Sequence, residues 1–394
     1  MLNKNRENWS EIDLLRGLAV IFMLVNHSIL VFTNYDAEGD SVLHALFFIG
    51  SYAPVIFFFV TGVGYGVAHQ VGKVAPLSSV FYKVLILLVA DIFLRGALSN
   101  SFPTFGLDFL GFIGVSMLFL YLLRGRSYGV SLALILILVI FLLRFASPKI
   151  FGLFNYNIED SYALSVFAAQ EGYKISGFSY WIVPWLIYPL SGFLLGVLMK
   201  GRRNYINSSS FIPFSLLFVG VFIVLCSAYL LDQGMVIFRW GSVSFNFFIS
   251  SIACLFLLLF VVCLFSRYSV FNRLNAVLSL RGVSSLAIVP IHYVFLHLYS
   301  YYQLDKLSSY LYLIAALLWI YCCIVLSNLV QTTSAKLSSY GYFMISWGCV
   351  FLLGCALLKV FFPVEPANFL LSFLAELALC FMLSFNFKKT KVSS

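Results

Sequence analysis

In a chain of 394 residues, 62% hydrophobic and only 10% charged, there is more apolar surface than a water-soluble core can hide, since soluble domains average roughly 25% charged residues. The formal charge of +9 does not point to nucleic acid, because the basic residues are spread thinly between apolar runs, as loop charges facing anionic lipid are. These numbers imply an all-α polytopic membrane protein, surrounded by membrane lipid and without a nucleic-acid partner.

A transmembrane helix needs roughly 20 mostly apolar residues. Taken in chain order, twelve segments meet that need: 12–33, 44–69, 79–98, 106–123, 128–145, 179–199, 211–231, 243–265, 284–301, 309–329, 341–362 and 367–387. Merging marginal spans would bring the count to ten or eleven. The first segment follows Lys4 and Arg6 as a signal peptide would, yet it continues to about Phe32, carries Asp13 and Arg16, and lacks a small-x-small cleavage site. It reads as a retained helix. With the N-terminus inside, fifteen basic residues, from Lys4 to Lys391, fall at cytoplasmic ends, and only Lys149, Lys174, Arg239 and Lys306 fall outside. That bias predicts both termini in the cytoplasm.

The longest stretch between spans, about 146–178, is expected to form an external cap. Residues 1–394 therefore read as one membrane domain, with a core over about 11–300 and additional C-terminal helices over 309–387. All eight cysteines lie inside apolar runs without a CxxC or Cys/His spacing, so they read as small buried hydrophobes and no metal is implied.

Ionisable residues inside spans are costly and default to functional hypotheses. In the first helix Arg16 and His27 are eleven residues apart, about three turns, so they share one face about 16 Å apart along the axis. Asp13 lies one turn from Arg16 and can pair with it. A cation near the inner surface suits an anionic group, and an imidazole deeper in suits proton transfer. The alternative is an interfacial ion pair and a hydrogen-bonded interhelical histidine. His44 opens the second span near the outer face and is a second catalytic candidate, or else an interfacial histidine. His69 reads as a helix-end residue. His292 and His297 share the ninth span, where Pro290 is expected to kink the helix beside His292. Asp91 and Arg95 read as a structural i,i+4 pair. Asp108 could orient a histidine or pair with Arg144. Glu376 has no visible partner. The run Thr61-Gly-Val-Gly-Tyr-Gly66 follows no strand, so it reads as helix packing rather than a phosphate loop.

Several of these segments resemble the transmembrane acyltransferases. Arg16 and His27 reproduce an arginine–histidine spacing found in the first helix of the acyltransferase-3 family. Ile12-Asp-Leu-Leu-Arg-Gly-Leu-Ala19, Pro54-Val-Ile-Phe-Phe-Phe-Val-Thr-Gly62, Phe105-Gly-Leu-Asp-Phe-Leu-Gly-Phe-Ile-Gly-Val-Ser116 and Trp181-Ile-Val-Pro-Trp-Leu-Ile-Tyr-Pro-Leu-Ser-Gly-Phe-Leu-Leu-Gly196 are similar to the neighbouring heparan-α-glucosaminide N-acetyltransferase branch and its bacterial relatives. Ser284 to His292 resembles a late helix of both branches.

The resemblance implies an acetyl-CoA-dependent O- or N-acyltransferase in a bacterial inner membrane, acting on an extracytoplasmic carbohydrate or glycolipid acceptor, without a metal. Arg16, Asp13 and Arg281 would face the donor. His27 would be the general base, with His44 its rival, and Asn26 matches a polar active-site position of the glucosaminide branch; Asp108 completes the catalytic candidates. His292, Trp181 and Trp185 would meet the acceptor. A homodimer is compatible with this reading. The rival class is a multi-pass transporter or flippase of an envelope precursor, for which midplane charges are also typical.

Overall fold

The structure, a computed structural model, describes residues 10–34, 41–69, 76–98, 107–146, 180–200, 202, 211–232, 244–268, 273, 277, 278, 280, 285–337, 341–361 and 367–384. Among them there is helix and no strand. The helices are α1 (Ser10–Phe32), α2 (Ser41–Gly50), α3 (Ala53–Val67), α4 (Leu77–Leu98), α5 (Phe109–Leu123), α6 (Gly129–Phe141), α7 (Ile182–Trp185), α8 (Ile187–Met199), α9 (Phe211–Asp232), α10 (Phe245–Arg267), α11 (Ile288–Tyr301), α12 (Ser309–Lys336), α13 (Gly341–Phe361) and α14 (Ala367–Ser384). Each of the twelve segments expected from hydropathy overlaps at least one of them. Seven helical stretches among the described residues are long and apolar enough to cross a membrane, and four shorter apolar helices accompany them. The protein is an integral membrane protein.

Two expected spans are interrupted. The second divides at Ser51 and Tyr52 into α2 and α3, with Pro54 in the first turn of α3, where its missing N–H costs nothing. The sixth divides at Leu186 into α7 and α8, and Val183, within α7, has a non-helical backbone. Another difference concerns Pro290. It lies in the first turn of α11, which begins at Ile288, so it starts that helix instead of kinking one that begins at Ser284.

The chain forms two compact units, one of residues 1–19, 52–84 and 106–281, the other of residues 20–51, 85–105 and 282–394. The first unit is built on backbone contact between α3 and α8. A Cβ on Gly62 would lie 1.9 Å from the Pro189 carbonyl oxygen, and one on Gly192 would lie 2.0 Å from that of Phe59. Gly66 and Gly196 meet the opposite helix in the same way. The glycine run at 62–66 is therefore a helix-packing device, as its position outside any strand–helix turn suggested. Fully buried Trp185 packs with Phe58, Tyr180, Tyr188 and Phe247. Two tyrosines add polar ties to α10: the Tyr52 hydroxyl donates to Ser250 Oγ at 2.9 Å, and the Tyr188 hydroxyl meets Ser251 Oγ at 2.8 Å.

Just beyond α3, the free carbonyls of the helix end are capped by cations, as the macrodipole favours. Arg124 Nε donates to the Ala68 carbonyl at 3.0 Å, and Lys200 Nζ donates to that of His69. His69 Nδ1 accepts from the Gly125 N–H at 3.1 Å. Gly125 makes this turn with a φ of 78°, which a side chain would resist. His69 is thus a helix-end residue.

In the second unit, the C-terminal end of α1 is closed by the segment before α12. The Leu307 N–H donates to the Phe32 carbonyl at 2.7 Å, and Lys306 Nζ donates to that of Val31. Gly50 of α2 sits against Asn26 and Phe22 of α1, where a Cβ would lie 2.7 Å from Asn26 Cβ. Helix α12 presents Tyr310, Ile314, Leu317, Leu318 and Tyr321 outward, as a lipid-facing surface does.

Candidate active site

Several polar groups of the second unit gather around His27, in the C-terminal half of α1. His27 Nδ1 lies 2.8 Å from His292 Nε2 of α11, with ring centroids 5.0 Å apart. His292 Nδ1 lies 3.2 Å from the Ile288 carbonyl oxygen, one turn back along its own helix. A carbonyl can only accept, so His292 Nδ1 carries the proton. In a neutral His292, Nε2 then has a lone pair and accepts the proton on His27 Nδ1. His27 Nε2 is left as an unprotonated lone pair. The order Ile288 C=O, His292, His27 therefore selects one tautomer at each ring, the way a third group orients the base of a hydrolytic triad.

Burial separates the roles of the two rings. His292 is fully buried, whereas His27 keeps part of its surface exposed. Tyr293 and Trp319 pack around His292, which excludes water from the inner ring. Such a pair can take a proton at His27 Nε2 and stabilise the resulting charge through His292. His292 thus contacts His27 directly, a pairing the sequence did not reveal.

The turn of α1 around His27 is held on either side. Asn26 Nδ2 donates to the Phe47 carbonyl of α2 at 3.0 Å. On the neighbouring face, Ser28 Oγ lies 2.8 Å from the Tyr312 hydroxyl of α12. Asn26 is thus adjacent to His27 and ties its helix to α2. His44, also on α2, is exposed, and the pair at the centre of the site is His27 with His292.

The other sequence candidates fall elsewhere. Asp13 and Arg16 form the expected i,i+3 ion pair at 3.1 Å. Arg281, the cap over 146–178 apart from its first residue, and the side chain of Arg95 lie outside the described residues. Asp108 precedes α5 in the first unit as its N-cap residue, with no capping bond from its side chain. Trp181 and Trp185 are 3% and 0% exposed. Both indoles are buried, and that of Trp185 packs against aromatic rings. Glu376, for which the sequence showed no partner, meets His297 Nδ1 of α11 at 2.7 Å.

A family model described as heparan-α-glucosaminide N-acetyltransferase, catalytic, matches residues 9–213, just over half of the chain. The match includes Asn26 and His27 and ends before α11, which carries His292. No curated protein and no solved structure matches the chain.

Proposed function

The chain belongs to the heparan-α-glucosaminide N-acetyltransferase catalytic family, and from that membership we propose that it transfers an acetyl group from cytoplasmic acetyl-CoA to an amine or hydroxyl of an extracytoplasmic glycan or glycolipid, with His27 as general base. Membership supplies the reaction class. The observation that supports the residue assignment is the His27–His292–Ile288 sequence of contacts, which leaves His27 Nε2 able to accept a proton.

The step balances with this one base. His27 Nε2 takes the proton of the acceptor N–H or O–H while the acceptor atom attacks the thioester carbonyl carbon. The tetrahedral intermediate collapses with cleavage of the C–S bond, and the imidazolium returns the proton to the departing thiolate. A neutral His292 held by the Ile288 carbonyl stabilises the intervening imidazolium by hydrogen bonding. In this reading twelve spans place both termini in the cytoplasm, in a bacterial inner membrane, with Arg16 towards the donor side.

Proteoliposomes test the proposal. With labelled acetyl-CoA on one face only and a glucosaminide acceptor on the other, labelled acceptor is expected to accumulate on the face away from the donor. Movement of unmodified acceptor without acetylation would instead identify a transporter.

A further inference from the structure

We propose that Tyr312 and Glu376 are positioning residues for the His27–His292 pair, so that helices lying beyond the family match set the geometry of the base. The inference rests on the reading of His27 as that base. Tyr312 of α12 is 1% exposed. Its hydroxyl lies 2.8 Å from Ser28 Oγ and 3.2 Å from the Val25 carbonyl oxygen, and Ser28 Oγ itself lies 3.0 Å from that carbonyl. Val25 and Ser28 flank His27 on α1. The three oxygens form a closed triangle that fixes the rotation of the turn carrying the base.

Glu376 acts on the other ring. It is 0% exposed in the middle of α14, and its Oε1 lies 2.7 Å from His297 Nδ1. A lone carboxylate there would be expensive, and the His297 imidazole is the partner that a buried carboxyl group needs. His297 follows His292 by five residues on α11, a rotation of about 140° around the helix axis. One face of α11 is thus fixed to α1 through His292 and a nearly opposite face to α14 through His297. Rotation of α11 that would swing His292 away from His27 must also break the His297–Glu376 contact. Neither Tyr312 nor Glu376 contacts the ring of His27, so each acts through the backbone it holds.

The test uses the purified full-length chain with Tyr312→Phe, Glu376→Gln and Ser28→Ala. Tyr312→Phe and Glu376→Gln are each expected to lower kcat for acetyl transfer about tenfold, as a shift of a fraction of an ångström does in an oriented site, with KM for acetyl-CoA unchanged. Ser28→Ala removes one corner of the triangle and is expected to cost less. The ¹⁵N spectrum of histidine, with His27 assigned by its absence from His27→Ala, is expected to change in the folded variants from a single Nδ1–H tautomer to a mixture. A purely structural role would reduce the yield of folded protein and leave that tautomer signal and the kcat of the folded fraction intact; this result would overturn the proposal. If the wild type transfers no acetyl group, the functional reading fails, and the tautomer signal alone still decides whether these residues position the pair.

Discussion

His292 presents an acceptor nitrogen 2.8 Å from His27 Nδ1 because its own Nδ1 is used on the Ile288 carbonyl. The contact joins residues 265 positions apart in the chain and makes the protonation of one ring depend on a backbone oxygen of another helix. His292→Phe keeps a ring in the buried site and removes the acceptor. His27 is then free to carry its proton on either nitrogen, so kcat is expected to fall on the order of 100-fold with KM little changed. Steady-state acetyl transfer by the purified variant measures this, and an unchanged kcat would remove His292 from the mechanism.

The α3–α8 contact leaves no room for a side chain at Gly62, where a Cβ would lie 1.9 Å from a carbonyl oxygen, whereas nothing lies within 4 Å of a Cβ on Gly64. Gly62→Val is expected to destabilise the protein by more than about 3 kcal/mol, since the obstacle is backbone. Gly64→Ala is expected to be neutral or to stabilise by up to about 1 kcal/mol through helix propensity. Thermal unfolding in detergent distinguishes the two. Equal effects would mean that the helices are not packed through this face.

Trp185 is fully buried among aromatic rings. Its replacement by alanine is expected to cost about 3 kcal/mol of stability or more, while KM for the acceptor in the remaining folded protein stays at the wild-type value. An acceptor KM raised tenfold with stability intact would return Trp185 to the binding site.

His69 lies outside the membrane-spanning segments, and its pKa is lowered from 6.5, first by burial and then by the Lys200 and Arg124 cations. As pH falls through 6.5 the unfolded chain takes up the proton before the folded chain does. The contribution of His69 is therefore complete above 6.5 and is lost as pH falls from there towards the lowered folded value. Protonation at Nδ1 also removes the acceptor of the Gly125 N–H. His69→Gln cannot titrate, so its melting temperature is expected to drop less than the wild type's between neutral and mildly acidic pH. Equal drops would show that His69 does not contribute to the acid sensitivity.

Hydropathy located the long helices among the described residues because a span must be apolar along its own length, and this is a property of contiguous residues. The breaks at Ser51 and Leu186 were harder to read: both halves of each segment are apolar, and only backbone geometry separates them. The glycines of 62–66 were legible as packing residues since no strand precedes them. His27 stood out as a candidate because a histidine in an apolar helix needs a reason. Its partnership with His292, and that of His297 with Glu376, were not, since pairing across helices depends on how helices dock and leaves no trace in the periodicity of any one of them. The burial of Trp181 and Trp185 was illegible for a related reason: an aromatic next to an external loop looks the same in sequence whether it is exposed or buried.

The central claim concerns the identity of the base, and acetyl transfer by His27→Ala set beside His44→Ala tests it most directly. With folded protein quantified for each, His27→Ala is expected to lose about 10³-fold in kcat, and His44→Ala to stay within severalfold of the wild type. Full activity in His27→Ala with loss in His44→Ala would contradict the assignment and move the base to α2.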